Sequence, residues 1–162
     1  CLTYNNNSIA LMITDLFLYS KYIEWGDTLF LHLSGKPITM LHYTHHMTTV
    51  FLLYVNLIEY ISPHMFIFMS LNCLVHIWMY WYFAFPRGVL YPIRKLITQS
   101  QIIQHVICLI TIVFTMFLDN CKQNKYGNEF GLFIYSMYLF YFSIFYLQSY
   151  QKENILLLSK LC

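Results

Sequence analysis

Charged residues are scarce in this sequence. Only 10% of its 162 residues are Asp, Glu, Lys or Arg, whereas a soluble domain carries about 25%. The hydrophobic fraction is 59%, which excludes an ordinary soluble domain and indicates a membrane protein. The net charge of +2 is too small and too scattered to indicate a nucleic-acid-binding protein.

The sequence also lacks most of the features that separate domains or bind structural metals. It has no Gly-rich, Ser-rich or repeated tract, so we expect a single membrane-embedded domain over residues 1–162, without a linker. The five cysteines form neither a Cys-x-x-Cys pair nor a zinc-binding spacing. The chain begins with Cys1 rather than Met, and no basic segment or cleavage site follows, so nothing predicts a signal peptide.

Long apolar runs are what the sequence does have. Five of them are long enough to cross a bilayer core, which takes about 20 helical residues. Short polar segments or segments with Pro and Gly separate them, such as 34–37. The predicted fold class is therefore all-α, a polytopic membrane protein. Its expected transmembrane helices are 9–33, 38–60, 63–85, 92–118 and 129–150.

Basic residues are concentrated on one side of these predicted spans. That side holds six basic residues against one acid, whereas the other side holds two against three. Because cytoplasmic loops carry an excess of Lys and Arg, the basic side is predicted to face the cytosol, and the chain to end there. The six residues are Lys36, Arg87, Arg94, Lys95, Lys152 and Lys160.

Four polar motifs interrupt the first four apolar runs. Within each motif the polar residues repeat every three or four positions, which places them on one helix face. Each motif lies about 9–12 Å inside the predicted cytosolic surface, at 1.5 Å per helical residue. Because ionisable groups are costly in a membrane, four motifs at one depth predict a single polar chamber. The motifs span 21–28, 42–46, 72–80 and 98–104.

Histidines dominate the chemistry of these motifs. His42, His45 and His46 share a helix face, and His76 lies four residues after Asn72. Imidazole can act as a metal ligand, a general base or a nucleophile. A His-x-x-His-His box also occurs in membrane di-iron desaturases and hydroxylases, which need about eight histidines in several boxes. This chain has seven histidines and one such box, so a di-iron site is only an alternative.

Two further interpretations stay open. The polar groups could be interhelical hydrogen bonds, each contributing about 0.6 kcal/mol on average. That would suit Thr48, Thr49 and His105, but it suits the carboxylates Glu24 and Asp27 poorly, since Ser or Thr would serve. The chain could also be a non-enzymatic transporter or receptor with a polar core. The aromatic run at 133–150 is expected to be lipid-facing packing.

The four motifs, in this order and over nearly the whole chain, resemble those of the ELO family of fatty-acid elongases. The family patterns are Lys-x-x-Glu-x-x-Asp-Thr, His-x-x-His-His, Asn-x-x-x-His-x-x-Met-Tyr and Thr-x-x-Gln-x-x-Gln. Members of that family have seven spans and the match begins at the third, so the resemblance implies that this sequence lacks the first two. The segment 24–28 looks like the branch that elongates saturated and monounsaturated chains.

The resemblance implies a 3-ketoacyl-CoA synthase of the endoplasmic reticulum membrane. Such an enzyme condenses a long-chain acyl-CoA with malonyl-CoA, releases carbon dioxide and CoA, and uses no metal or other cofactor. Its spans enclose a narrow acyl tunnel that opens to the cytosol. By the family pattern His45 would be the nucleophile and form an acyl-imidazole, and His76 would assist the condensation. His42 and His46 would orient their neighbours or carry protons.

Other residues of the motifs would support this chemistry. Decarboxylation of malonyl-CoA creates an enolate, which needs hydrogen-bond donors and exclusion of water. Besides His76, the candidate donors are Asn72, Tyr80 and Gln101, and the carboxylates Glu24 and Asp27 could hold an imidazole tautomer. The remaining members of the predicted polar site are Thr28 and Gln104.

The predicted partners are the bilayer, acyl-CoA, malonyl-CoA, the reductases and dehydratase of the elongation cycle, and a second copy of the chain. CoA phosphates need cationic groups at the mouth of the tunnel. The candidates are Lys36, Arg87, Arg94 and Lys95. Because the lumen permits disulfides, a bridge between Cys1 and Cys121 is a further expectation.

Overall fold

A computed structural model describes residues 8–35, 37–59, 62–85, 91–118 and 125–151. These ranges contain five α-helices and no strand, which confirms the predicted all-α fold class. A single 3-10 turn, Tyr91–Ile93, precedes the fourth helix, and a π-helical turn, Leu147–Gln151, follows the fifth. The α-helices are α1 (Ser8–Leu33), α2 (Met40–Glu59), α3 (His64–Ala84), α4 (Arg94–Met116) and α5 (Lys125–Tyr146).

Three of these helical segments are long and apolar enough to cross a membrane, namely His64–Ala84, Arg94–Met116 and Lys125–Tyr150. The helices α1 and α2 have similar lengths but are less apolar, because the polar motifs lie within them. Helix α1 carries four charged residues, and α2 carries three histidines near its start. The last helix begins four residues earlier than predicted, because its polar first turn continues the helix beyond the apolar run.

The interior of the bundle contains many polar groups, and its exterior is apolar. Lys21 and Glu24 are only 2% and 6% exposed, whereas Ile23, Phe30 and Phe117 are each more than 70% exposed. This distribution is the reverse of a soluble domain and is typical of helices whose outer faces contact lipid. The fold is that of a polytopic membrane protein with polar groups directed inward.

The helices enclose this interior in the order α1, α2, α5, α4, α3. Helix α5 packs against α2 and α4, helix α1 packs against α2, and α3 packs against α4. Polar side chains join α1 to α3, through the pairs Lys21–Asn72 and Asp27–Tyr80. An apolar cluster between α2 and α5 contains Leu52, Ile134, Tyr138 and Phe142.

Two glycines have distinct roles in this arrangement, one in helix packing and one in a turn. A β-carbon at position 131 would lie 3.2 Å from Ile112 Cδ1 and 3.8 Å from Leu52 Cδ1, so Gly131 lets α5 approach α4 and α2 closely. Gly35 has a φ of 65° in the predicted turn after α1, a conformation that a residue with a side chain rarely adopts.

The prediction that the aromatic run at 133–150 faces lipid is partly wrong. Phe133 and Phe140 are exposed, but Tyr138 and Phe142 are 1% and 8% exposed. The reason is helical periodicity: residues four apart share a face, so every fourth member of the run is directed into the bundle.

Candidate active site

Two cavities lie inside the bundle and share a wall. The wide cavity has a volume of about 370 Å³, and the narrow cavity has a volume of about 50 Å³. Four side chains line both of them: His45, Asn72, Gln104 and His105. Three of the four belong to the predicted site, which places this part of the site at the junction of the two cavities.

The wide cavity lies at the end of the bundle that the charge distribution predicts to be cytosolic. Its lining includes Leu31 near the end of α1, Arg94 at the start of α4 and Tyr150 beyond α5. The predicted residues that line it, besides the four shared ones and Arg94, are His42, His46, His76 and Gln101.

The narrow cavity extends from the shared wall toward the opposite end of the bundle. Its middle is apolar, with Leu53, Met65, Met69 and Ile112 among the lining side chains. Polar groups, which include His64, Asn56 and Asn128, line it close to the opposite ends of the helices. The apolar stretch suits a hydrocarbon chain.

A buried polar network joins α1 to α3. Lys21 Nζ donates to Glu24 Oε1 at 2.5 Å and also to Asn72 Oδ1. Glu24 Oε2 lies 3.5 Å from His76 Nε2 and 3.9 Å from His46 Nδ1. Burying a charge in a membrane requires a partner of opposite charge and hydrogen bonds, and this network supplies both. It brings together four predicted site residues and Lys21.

The tautomer of His76 follows from its hydrogen bonds. His76 Nδ1 lies 2.8 Å from the backbone carbonyl oxygen of Asn72. A carbonyl oxygen can only accept, so Nδ1 carries the hydrogen and donates it. The other ring nitrogen, Nε2, is therefore the one directed toward Glu24, and His76 is oriented for proton transfer at that atom.

A second pair of contacts joins α1 to α3 and to α2 near their predicted cytosolic ends. The Tyr80 hydroxyl donates to Asp27 Oδ2 at 2.6 Å, and Thr28 Oγ1 lies 3.0 Å from His42 Nε2. His42 is stacked on His46, with ring centroids 4.3 Å apart. Neither Asp27 nor Tyr80 lines either cavity. These two predicted site residues therefore contact each other but lie away from the wall that the cavities share.

The two predicted glutamines differ in position. Gln101 lines the wide cavity and donates a long 3.6 Å hydrogen bond to Met79 Sδ. Gln104 lies one helical turn deeper, is 6% exposed and lines both cavities. Gln104 is thus the amide at the shared wall.

His45 lies at the centre of the site. Its side chain is surrounded by rings, with centroid distances of 4.7 Å to Tyr138, 6.3 Å to His105 and 6.4 Å to His76. Within the described ranges no hydrogen bond to the His45 ring is found. An imidazole that no side chain of these ranges hydrogen-bonds is available to a substrate in either cavity.

The backbone of His45, in contrast, is held firmly. Its carbonyl oxygen accepts from Thr49 Oγ1 at 2.6 Å and from the Tyr138 hydroxyl at 3.2 Å. The same hydroxyl lies 2.6 Å from Thr48 Oγ1 and 3.0 Å from Thr49 Oγ1. Helix α5 thereby fixes the part of α2 that carries His45.

Sequence reasoning missed three residues of this site. Lys21 is the first residue of its motif, so the spacing contained the signal, but only Glu24, Asp27 and Thr28 of that motif were predicted to belong to the site. Tyr138 is one of 15 tyrosines and has no local motif. His105 was assigned to interhelical hydrogen bonding, yet no hydrogen bond to its ring is found in the described part of the chain.

Two of the four basic residues predicted at the mouth of the tunnel lie in the described ranges. Arg94 lines the wide cavity, and Lys95 Nζ lies 5.6 Å from the centre of the Tyr146 ring, a cation–π contact. Lys36 and Arg87 lie outside the described residues, as do Cys1 and Cys121, so the predicted bridge stays a prediction.

In the described ranges, no three or more His, Cys, Asp or Glu side chains are arranged to hold a metal ion. The di-iron alternative therefore finds no ligand set among these residues.

Comparisons with known proteins give a consistent result. The profile of the family described as ELO: GNS1/SUR4 matches residues 2–155. Fatty acid elongase 3 of Trypanosoma cruzi is 37% identical over 83% of this chain and 47% of its own length. Fatty acid elongase 3 of Trypanosoma brucei brucei is 31% identical over 91% of this chain and 51% of its own length.

A third relative, fatty acid elongase A of Dictyostelium discoideum, is 31% identical over 86% of this chain and 54% of its own length. The chain thus spans about half the length of the curated relatives that it matches. No solved structure matches it significantly.

Proposed function

The chain belongs to the GNS1/SUR4 (ELO) family, and on that basis we propose that it forms the reaction chamber of a fatty-acid elongase. The enzyme condenses a long-chain acyl-CoA with malonyl-CoA to give a 3-ketoacyl-CoA, carbon dioxide and free CoA. The observation that supports this function best is the position of His45. Its ring, which no hydrogen bond engages in the described ranges, lies where a wide polar cavity and a narrow apolar cavity share a wall.

The first step is acyl transfer to the enzyme. A ring nitrogen of His45 attacks the acyl carbonyl carbon, a C–N bond forms and the C–S bond breaks. The electron pair of the C–S bond leaves with sulfur, and the thiolate takes up the proton that the other ring nitrogen releases. The products are an acyl-imidazole and free CoA. Forming this covalent intermediate splits one difficult condensation into two easier steps.

The second step is the carbon–carbon bond formation. Malonyl-CoA loses carbon dioxide, and the electrons of the broken C–C bond form an enolate, which attacks the acyl carbon on His45. The C–N bond breaks, and the released imidazolate takes a proton. His76 is suited to supply it as an imidazolium, whose Nδ1–H is engaged by the Asn72 carbonyl and whose Nε2–H is the proton transferred; His76 then takes up a proton again from water.

The two cavities suit the two parts of the substrates. The apolar narrow cavity accepts the hydrocarbon chain, and the wide cavity accepts the thioester ends and the CoA portions. Arg94 lines the wide cavity and would pair with a CoA phosphate, together with Lys36, Arg87 and Lys95. The enolate would receive hydrogen bonds from Asn72, Gln101 or Gln104. The scheme needs no metal or other cofactor.

The cellular setting is part of the same proposal. The excess of basic residues at the end of the bundle with the wide cavity supports a cytosolic C-terminus. A multi-pass elongase that takes CoA substrates from the cytosol fits the endoplasmic reticulum membrane. Reductases and a dehydratase must then process the 3-ketoacyl product, and a second copy of the chain is a further candidate partner.

An elongation assay tests the function. Microsomes that contain the protein are incubated with acyl-CoA of graded length and radiolabelled malonyl-CoA, and the 3-ketoacyl products are separated. We expect product from the wild type, none from His45→Ala, and undiminished product from the control His32→Ala, which changes an exposed histidine outside both cavities. A wild type without product would contradict the function.

Mass spectrometry tests the role of His45 separately. After incubation with acyl-CoA alone, a peptide that contains His45 should gain the mass of the acyl group. If the protein elongates acyl-CoA but never carries the adduct, His45 is not the nucleophile, although the protein still catalyses the condensation.

A further inference from the structure

His105 is a buried histidine that the scheme above does not use. It follows Gln104 on α4, is 2% exposed and lines both the wide and the narrow cavity. Its Nδ1 atom is fully buried and has no hydrogen-bond partner in the described part of the chain. Buried polar atoms are nearly always hydrogen-bonded, so this unsatisfied atom makes the imidazole, which lines both cavities, a candidate for a polar contact with a molecule there.

The neighbours of His105 restrict what that molecule can be. Three aromatic rings surround the imidazole, with centroid distances of 5.1 Å to Phe142, 5.3 Å to Tyr138 and 5.9 Å to Tyr135. The fourth neighbouring ring is His45, at 6.3 Å. The group that His105 contacts therefore lies beside His45, in a site lined mainly by aromatic carbon.

We propose that His105 is a further catalytic residue, which donates a hydrogen bond from one ring N–H to the oxygen of the acyl carbonyl that His45 attacks. This inference rests on the proposed function. A carbonyl group that is bonded to one imidazole nitrogen and hydrogen-bonded to another spans about 5 Å between the two nitrogens. Rings whose centroids are 6.3 Å apart can hold such a group between them.

His105 would stabilise negative charge that develops on the carbonyl oxygen during the reaction. As the C–N bond forms, the π electrons of the carbonyl move onto oxygen, and the hydrogen bond stabilises this oxyanion. When the C–S bond breaks, the electrons return to the carbonyl and the pair of the broken bond leaves with sulfur. His105 keeps its proton throughout, and a neutral imidazole with one N–H is sufficient.

Two substitutions separate this role from packing. His105→Phe keeps an aromatic ring among Tyr135, Tyr138 and Phe142 but removes the donor, whereas His105→Gln keeps an N–H donor. We expect kcat to fall roughly 10²–10³-fold in His105→Phe, with KM for acyl-CoA within about threefold of wild type. His105→Gln should be at least about tenfold faster than His105→Phe, since a donor is retained.

Rates are expressed per folded protein, and the amount of folded protein is determined from thermal unfolding of each purified variant. The matched control is His32→Phe, at an exposed position. A purely structural histidine would lose folded protein and leave kcat per folded molecule unchanged. A kcat in His105→Phe within about threefold of wild type, or a Gln variant no faster than the Phe variant, would overturn the proposal.

A spectroscopic measurement does not depend on turnover. A ketone analogue of acyl-CoA, in which a methylene group separates the carbonyl from sulfur, binds without acylating the enzyme. We expect its infrared carbonyl stretch to be lower in wild type than in His105→Phe, because a hydrogen bond weakens the C=O bond. Equal frequencies would overturn the role of His105 alone, whereas a wild type that makes no 3-ketoacyl-CoA would contradict the proposed function.

Discussion

Two walls of the site hold their polar groups in opposite ways. On the polar wall, formed by Lys21 and Glu24 of α1 and Asn72 and His76 of α3, each side chain has a partner within the wall. On the aromatic wall, formed by His105 of α4 and by Tyr135, Tyr138 and Phe142 of α5, the imidazole is enclosed by rings. No hydrogen bond reaches that imidazole from the described residues.

The difference separates residues that hold the geometry from residues that are available to a substrate. Side chains that satisfy one another lower the cost of burying them and fix the helices that carry them. Lys21 and Glu24 act in this way and position the helices, whereas Asn72 and His76 also line the wide cavity and can act on a substrate there. His45 and His105 have hydrogen-bonding capacity left for a substrate, and both line the two cavities.

The largest effect is expected where the polar wall loses a charge. Lys21→Met removes the ammonium that bonds Glu24 and Asn72, and leaves a carboxylate buried without its main counter-charge. Removing one partner of a buried ion pair costs about 3–5 kcal/mol. We expect a fall of that size in the free energy of unfolding, measured in mixed detergent micelles, with loss of activity.

A matched control is available on the surface. Lys125→Met breaks a pair with Glu129 whose side chains are 79% and 52% exposed, and such pairs contribute about 0.5 kcal/mol or less. The double variant Lys21→Met/Glu24→Gln should recover part of the lost stability, because it leaves no uncompensated charge. Equal losses in the buried and the surface variant would show that the polar wall does not stabilise the fold.

The next effect concerns His76, a member of the polar wall that lines the wide cavity. His76→Gln keeps a polar side chain but removes the proton carrier, so we expect kcat to fall roughly 10²-fold with little change in stability. If His76 assists the condensation and not the acyl transfer, the acyl adduct on His45 should accumulate in this variant. Single-turnover mixing with acyl-CoA followed by malonyl-CoA measures the two steps separately. A variant that lost both steps equally would place His76 in acyl transfer as well.

Much of the polar wall could be predicted from sequence, because helical spacing carries the information. Glu24 and Asp27 lie three apart, as do His42 and His45, and Asn72 and His76 lie four apart. The positions of the polar groups in four apolar runs also predicted that they share one depth. The structure has the predicted all-α fold, and it gathers seven residues of the predicted polar site, together with the neighbour His105, around the two cavities: His42, His45, His46, Asn72, His76, Gln101 and Gln104.

The aromatic wall could not be predicted in the same way. Its three aromatic rings from α5 come from a run in which nearly every position is apolar or aromatic, so no change of chemistry marks the buried face. Which of many tyrosines turns inward depends on how α5 packs against α2 and α4, including the close approach at Gly131. That packing is a tertiary property. For the same reason His105 was interpreted as a hydrogen-bonding residue, although its neighbours are rings.

A smaller effect is expected on the aromatic wall at Tyr138. Tyr138→Phe removes a hydroxyl that contacts Thr48, Thr49 and the His45 carbonyl but leaves the ring in place. We expect a loss of about 1 kcal/mol in the free energy of unfolding and a severalfold lower kcat, because the backbone of His45 is held less firmly. Tyr141→Phe, at a neighbouring position outside both cavities, is the control. Identical melting curves for the two variants would argue against the role of this hydroxyl.

The smallest effect is expected at the cytosolic edge of the polar wall, where Thr28 contacts His42. Thr28→Val keeps the shape of the side chain and removes the hydroxyl that lies 3.0 Å from His42 Nε2. Because His42 is also stacked on His46, its ring should stay near its position, and the loss should be about 0.5 kcal/mol, close to one interhelical hydrogen bond. Thr111→Val, which removes a hydroxyl bonded only within its own helix, is the control. A tenfold fall in kcat corresponds to a loss of transition-state stabilisation of about 1.4 kcal/mol. If kcat falls by more than about tenfold, His42 itself takes part in proton transfer, and the catalytic part of the polar wall includes this edge.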